Sequence, residues 1–397
     1  MRRRLALLVV VVVMSAAACG DDADDAAPTT STAADPAETS TTAAPPTTSM
    51  ATTTTAAAVT TTSPPPASVG DGYTPQPDDV PWPTGEWQRG ELDPAIDTAA
   101  IQVLVDEALR AEDGAYGAVE AVLIIENGEL VFEDYGRGWS ADQVHLSFSV
   151  AKSVTHAAVG ILDDRGEIDA FGPVGAPEWG DDDERAAITY DDLLTMTSGL
   201  EWNEVASSFT DGDGLTAGSA QASKPLVAEP GETWVYSTGA TAVVGRAIGD
   251  VVGTGDDFDA WMDENLFAPI GITSAELQFD ASGYWVAGTG ANMTARDFAR
   301  LGLLYLRDGV WDGVRVLPEG WVDDGRESGP NPDYGSGLWT NSWYSPGSYS
   351  MEGFRGQNVV MVPDADVIVV TLADEPVGAR VDALSQDLID LLRAGLN

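Results

Sequence analysis

Phe148-Ser149-Val150-Ala151-Lys152-Ser153-Val154 is the stretch on which the fold turns. It sets a serine hydroxyl three residues before a lysine amine. On a helix, residues three apart share a face and stack one turn above the other. The Lys152 amine can then reach the Ser149 oxygen and take its proton. Serine is a poor nucleophile until an adjacent base does this. A single Ser-x-x-Lys is nonetheless cheap, because most serine–lysine pairs at this spacing are ordinary surface pairs. Its weight depends on the rest of the chain.

Composition adds a first increment. The chain has 397 residues, 44% apolar with 12 Trp, enough for one large or two ordinary domains around a sizeable core. Acidic residues outnumber basic ones 64 to 19, for a net charge of −45. Phosphate binding needs clustered Lys and Arg, so nucleic acid is excluded as an expected partner, as is electrostatic docking on an anionic membrane. Only two of the 19 basic residues are lysines, Lys152 and Lys224. Arginine stays protonated in proteins, whereas a lysine with a lowered pKa can act as a base. A chain that almost always chooses arginine thus spends one of two lysines three residues after a serine. The two histidines, His145 and His156, match no zinc spacing and are expected to pack locally. No metal and no cofactor is expected.

Upstream, residues 1–19 read as an export signal. Arg2, Arg3 and Arg4 precede the apolar run Leu5 to Met14, which is too short to span a bilayer. Ala16-Ala17-Ala18 then leads to Cys19, the only cysteine, so no intramolecular disulfide can form. This resembles a bacterial lipoprotein signal, which implies lipidation of Cys19, export and a cell-surface protein anchored to the membrane. The alternative is ordinary cleavage and secretion. Residues 20–80 are rich in Thr, Ala and Pro and nearly lack large apolar residues. They read as a disordered tether, leaving 81–397 as the folded domain.

Downstream, residues 94–112 have helical spacing with Pro94 as a fitting first helical residue. Val119 to Tyr135 read as two strands around Asn127-Gly128, a strong hairpin signal. The helix bearing Ser149 and Lys152 follows. Thr189 is a candidate N-cap for a short helix reaching Gly199. A polar, Gly-rich loop covers 203–225. Helices are expected over 240–252, around Trp261 and over 294–307. Tyr334 to Trp339 reads as a strand, Gln357–Val362 and Val367–Leu372 as a hairpin, and 382–394 as a closing helix. The fold class is therefore α+β: an antiparallel sheet flanked by N- and C-terminal helices, with a helical subdomain inserted.

Several motifs line up in this order. They are Phe148 to Ser153, Leu193 to Leu200, Pro230-Gly231-Glu232 leading to Tyr236-Ser237, Met293 to Asp297, and Gly353-Phe354-Arg355-Gly356-Gln357. Together they resemble the serine β-lactamase and penicillin-binding-protein superfamily, near class C enzymes and 6-aminohexanoate-dimer-hydrolase-like esterases. The resemblance covers about residue 90 to the C-terminus. It implies Ser149 as acylated nucleophile, Lys152 as its base and Tyr236 as partner in proton transfer. It implies an oxyanion hole from the backbone N–H groups of Ser149 and Phe354, with Thr238, Gly353 and Arg355 near the substrate.

Two departures bear on substrate. The usual Tyr-x-Asn is Tyr236-Ser237-Thr238 here, and the usual cation of the third motif is replaced by Met351-Glu352 before Gly353. The group that would bind a substrate carboxylate is missing. An ester or simple amide is the expected small-molecule substrate, with no obligate protein partner. A D-Ala-D-Ala carboxypeptidase or β-lactamase is the alternative within the fold. An inactive ligand-binding module on a membrane tether is the alternative outside enzymes.

Overall fold

The computed structural model describes residues 67–112, 114–205, 218–340, 344–376 and 378–396. The chain divides into Met1–Thr62 and Ser63–Asn397, and every described residue belongs to the second unit. The signal segment, Cys19 and the tether as far as residue 66 lie outside the described residues.

Helix α1 (Thr98–Arg110) starts one turn later than the proline suggests, because Asp97 caps it by accepting from Ala100 N–H. Strands β1 (Val119–Glu126) and β2 (Glu129–Tyr135) form the expected hairpin. Asn127 and Gly128 both adopt positive φ, 51° and 79°, as a two-residue turn between twisted strands requires. Short β3 (Val144–His145) leads into a 3-10 turn, Phe148–Val150, and α2 (Ala151–Asp164). Next come α3 (Tyr190–Leu194), α4 (Gly218–Ala222), α5 (Thr238–Val252) and α6 (Asp256–Met262). Helix α3 has the predicted Thr189 cap, reciprocated by Asp192, but stops at Leu194. Met196 then turns to φ 64°. Strands β4 (Glu276–Leu277) and β5 (Ala291–Thr294) join β3 in a small sheet ordered β3-β5-β4. Helix α7 (Ala295–Leu306), the hairpin β6 (Val310–Trp311) and β7 (Val314–Arg315), and α8 (Trp321–Arg326) follow. Strands β8 (Tyr349–Gly353), β9 (Gln357–Val362) and β10 (Val367–Ala373) and helix α9 (Ala379–Leu396) complete the fold.

The main sheet is antiparallel with order β2-β1-β10-β9-β8. Side chains alternate across a strand, and here both faces are buried. Val122 and Ile124 of β1 join Ile101 and Leu109 of α1 and Leu384 and Leu388 of α9 in one core cluster. Ala121, Leu123 and Ile125 turn the other way, joining Phe298 and Leu301 of α7 and Val154 of α2. That second cluster continues through the helices between β2 and β8, the expected inserted subdomain.

Two expectations are corrected. Tyr334 to Trp339 is not a strand: its ends bridge each other, and Trp339 also bridges Ser350 of β8. The strand there is β8, at the edge of the sheet. The tether also ends earlier than residue 80. Gly70 N–H donates to Asp308 at 2.8 Å, Arg315 donates to Ser68 O at 2.7 Å, and the buried Tyr73 donates to Asp323 at 2.8 Å. Polar contacts pin residues 67–80 onto the domain, which is why their low apolar content hid them.

Candidate active site

Ser149 sits in the 3-10 turn that leads into α2, so the positive end of the helix is aimed at it. The preceding Phe148 is held at φ 42°, an uncommon conformation for a residue with a side chain. The surroundings enforce it. Ser147 N–H donates to Asn292 Oδ1 at 2.9 Å, its hydroxyl donates to Thr289 O at 2.8 Å, and it accepts from Ala291 N–H at 3.0 Å. Ser149 itself is only half-buried, so its hydroxyl stays reachable.

Lys152, one turn on, is 1% exposed. Its Nζ lies 3.0 Å from each of Ser149 Oγ, Thr238 Oγ1 and Gly288 O. Burial lowers its pKa to about 8, against an upward pull from Glu204. The partners also fix the direction of the amine. Gly288 O can only accept. The Thr238 hydroxyl hydrogen is committed to Glu204 Oε1 at 2.5 Å. A neutral amine therefore satisfies these two acceptors with its N–H groups and turns its lone pair towards the Ser149 O–H. Gly288 must be glycine for this approach, since a Cβ there would lie 2.7 Å from Thr238 Cγ2.

Tyr236 precedes α5, where Ser237 caps the helix by accepting from Ala240 N–H at 2.9 Å. The Tyr236 ring stacks on Trp339 and meets Tyr334 edge-on, both at 5.8 Å between centroids. Lys152 Nζ lies 4.9 Å from its ring centre. Burial raises the Tyr236 pKa, and a hydrogen-bonding interaction with the Ser149 side chain opposes that rise. The phenol is thus neutral at ordinary pH rather than a standing phenolate.

Gly353 ends β8 and Phe354 opens the turn to β9. The Phe354 ring meets Phe148 edge-on at 5.7 Å, so this strand end lies beside the turn that carries Ser149. Gly353 permits the approach, because a Cβ would fall 2.5 Å from Ser147 O. Thr238 is 2% exposed and held between Lys152 and Glu204. Arg355 is ion-paired with Asp374 on the far side of the turn. Met351 is fully buried, and Glu352 accepts from Ser350 Oγ at 2.7 Å.

Glu204 was not singled out from the sequence. Besides Thr238 Oγ1, it accepts from Thr238 N–H at 2.9 Å and Trp202 Nε1 at 2.6 Å. It lies at the start of the polar, Gly-rich loop expected over 203–225, of which residues 206–217 lie outside the described residues. The histidines pack locally as expected. His145 stacks on Trp139 at 4.0 Å and bonds to Glu120. His156 bonds to Tyr305 and stacks on Trp321.

An antiparallel sheet between terminal helices, an inserted helical region, and a serine, buried lysine and tyrosine at their junction define a β-lactamase-like architecture. Residues 105–393 match the Beta-lactamase family, and the chain belongs to that family. The chain is 28% identical over 295 residues to the 6-aminohexanoate-dimer hydrolase of Paenarthrobacter ureafaciens, covering 65% of this chain and 73% of that one. Among solved structures, it is similar to a Bacillus anthracis protein provisionally assigned as a 6-aminohexanoate-dimer hydrolase. That match has a TM-score of 0.63, 20% identity, and coverage of 82% of this chain and 91% of the other. EstCE1, a hydrolase with promiscuous acyltransferase activity, matches with a TM-score of 0.60 and 18% identity over 74% of this chain and 100% of the other.

Proposed function

We propose that the protein is a serine hydrolase that cleaves an ester or simple amide through an acyl-serine intermediate. One observation carries this: a fully buried lysine amine, with its pKa down to about 8, lies 3.0 Å from the hydroxyl of a reachable serine. At that pKa about a tenth of the amines are neutral at pH 7, against about one in 2,500 for free lysine.

In the first step Ser149 Oγ attacks the carbonyl carbon while its proton passes to Lys152 Nζ. The carbonyl π pair moves to oxygen, where the N–H groups of Ser149 and Phe354 are its expected donors. Collapse of the tetrahedral intermediate expels the alcohol or amine, which takes a proton delivered from Lys152 through the Tyr236 hydroxyl. Water then attacks the acyl-serine as its proton passes through the Tyr236 hydroxyl to Lys152 Nζ, and Lys152 returns a proton to Ser149 Oγ as the C–Oγ bond breaks and the acid leaves. Family membership and the hydrolase relatives support this chemistry.

The substrate class follows from what the third motif lacks. With Met351 buried, Glu352 acidic and Arg355 committed to Asp374, a substrate carboxylate has no cation waiting at that strand. That disfavours penicillin-like and D-Ala-D-Ala ligands. A panel of short-chain esters, amides and lactams, run with Ser149→Ala as control, tests this. Ester or amide turnover that disappears in the variant supports the proposal, whereas preferential lactam turnover refutes the substrate class.

We also infer an exported enzyme, anchored through lipidated Cys19 on the Thr/Ala/Pro-rich segment that follows it. Cys19→Ala should release the protein from membranes. Unchanged membrane association refutes the anchor.

A further inference from the structure

Three apolar side chains stand where the chain turns into Ser149. Leu146 is 54% exposed and Phe354 44%, and Phe148 is half-buried. The Phe148 and Phe354 rings meet edge-on at 5.7 Å. Gly353, one residue before Phe354, backs onto Ser147 O, where a Cβ would fall at 2.5 Å. The two segments therefore touch, and together they set an apolar shelf beside the serine. A single exposed apolar residue is ordinary, whereas a contiguous group of them marks a ligand surface.

The shelf is built rather than loose. On one side of Leu146, His145 is anchored by stacking on Trp139 and bonding to Glu120. On the other, Ser147 is anchored through Thr289 O and Ala291 N–H. Both anchors are buried, so Leu146 between them is turned out to water. In the second segment, Gly356 N–H donates to Gly353 O at 3.3 Å, closing a turn with Phe354 and Arg355 as its central residues. Arg355 is held there at φ 70°, by Glu375 N–H on its carbonyl at 3.1 Å and by its ion pair with Asp374.

The orientation of a substrate follows from where its leaving group finds a proton. In the acyl-serine mechanism, on which this inference rests, that proton comes through Tyr236. Among the described residues the rings next to Tyr236 are Trp234, Tyr334 and Trp339. Phe148 and Phe354 pair with each other instead. The leaving group thus lies towards the Tyr236 wall, and the acyl group extends the opposite way, over Phe148 and Phe354. We propose that Leu146, Phe148 and Phe354 bind the acyl chain of the substrate and select an uncharged aliphatic chain of several carbons over acetyl.

Comparing kcat/KM for p-nitrophenyl pentanoate and p-nitrophenyl acetate tests this. Three further methylenes are worth about 50-fold when fully buried and about 7-fold when half of their surface stays in water. A preference for pentanoate of about 5-fold or more is expected. Leu146→Ser/Phe354→Ser should bring the ratio to within about 2-fold of one, since the apolar contact area is removed. Using the ratio cancels any general loss from disturbing the Phe354 backbone. Val314→Ser, at a 61% exposed position of the β6–β7 hairpin, should keep the wild-type ratio. Thermal melting checks that the double variant is folded. If it is not, Leu146→Ser alone should lower the preference about 2-fold. Equal turnover of the two esters by the wild-type protein, a preference that survives the double variant, or one that follows the length of the alcohol instead of the acid overturns the proposal. Isothermal titration of Ser149→Ala with 2-hexanone and acetone repeats the comparison on ligands that have no scissile bond. Tighter binding of 2-hexanone is expected, and equal binding overturns the proposal whether or not the esters are turned over. Failure of the shelf and failure of Ser149 as nucleophile are thereby read separately.

Discussion

The Thr238 hydroxyl stands between Lys152 and Glu204, accepting from Nζ at 3.0 Å and donating to Oε1 at 2.5 Å. A carboxylate that never meets the serine thereby decides which way the lysine lone pair points. Glu204→Gln keeps the shape but weakens a charge-assisted hydrogen bond. A loss of about 1.4 kcal/mol there corresponds to about a 10-fold fall in kcat. KM should hardly move, because Thr238 is buried away from substrate. The variant should also shift the rising limb of the pH profile to lower pH, since Glu204 pulls the Lys152 pKa upward. Steady-state kinetics from pH 6 to 9 reads both effects. An unchanged limb would remove Glu204 from the relay.

In the proposed mechanism the amine is the base, so activity belongs to its deprotonated form. With the Lys152 pKa at about 8, kcat/KM should climb about 10-fold per pH unit below that value and level off above it. Lys152→Ala should cost about 10²–10⁴-fold in kcat. A profile flat between pH 6 and 9 would mean that Lys152 does not supply the base.

Tyr236→Phe isolates the hydroxyl. The ring contacts with Trp339 and Tyr334 remain, so the melting temperature should stay within a few degrees. kcat should fall about 10²-fold through loss of the proton conduit. The loss should be smaller for esters with acidic leaving alcohols, which need less protonation on departure. Equal losses for all leaving groups would argue against a role in delivering that proton.

What the sequence made legible follows the physics of each signal. Ser149 and Lys152 are neighbours by helical periodicity alone. The Asn127-Gly128 hairpin, the Thr189 cap and the β9–β10 hairpin are likewise local and appear as expected. Tyr236 required the order of motifs along the chain. Glu204 was hidden because its partner lies 34 residues away and the pairing is purely tertiary. Thr238 is a similar case: spacing names the residue but does not reveal that its hydroxyl bonds to Lys152 and Glu204. Residues 67–80 show the converse case, a segment too polar to suggest a core that is nonetheless fixed by hydrogen bonds to Asp308, Arg315 and Asp323.

The strand end beside the Ser149 turn gives a steric prediction. A methyl group at Gly353 would collide with the backbone oxygen of Ser147, which cannot swing aside as a side chain could. Gly353→Ala should destabilise the fold by about 1–3 kcal/mol. It should also reduce kcat more than a distant variant of equal stability, because β8 and the Ser149 turn are forced apart. Denaturant unfolding together with kinetics separates the two effects.

The most direct test is intact-protein and peptide mass spectrometry after brief exposure to a fluorophosphonate probe and to a slowly deacylating ester. The account predicts a single covalent adduct on Ser149 with each reagent, absent in Ser149→Ala and formed far more slowly in Lys152→Ala. An adduct on another residue, or ester hydrolysis undiminished in purified Ser149→Ala, would contradict it.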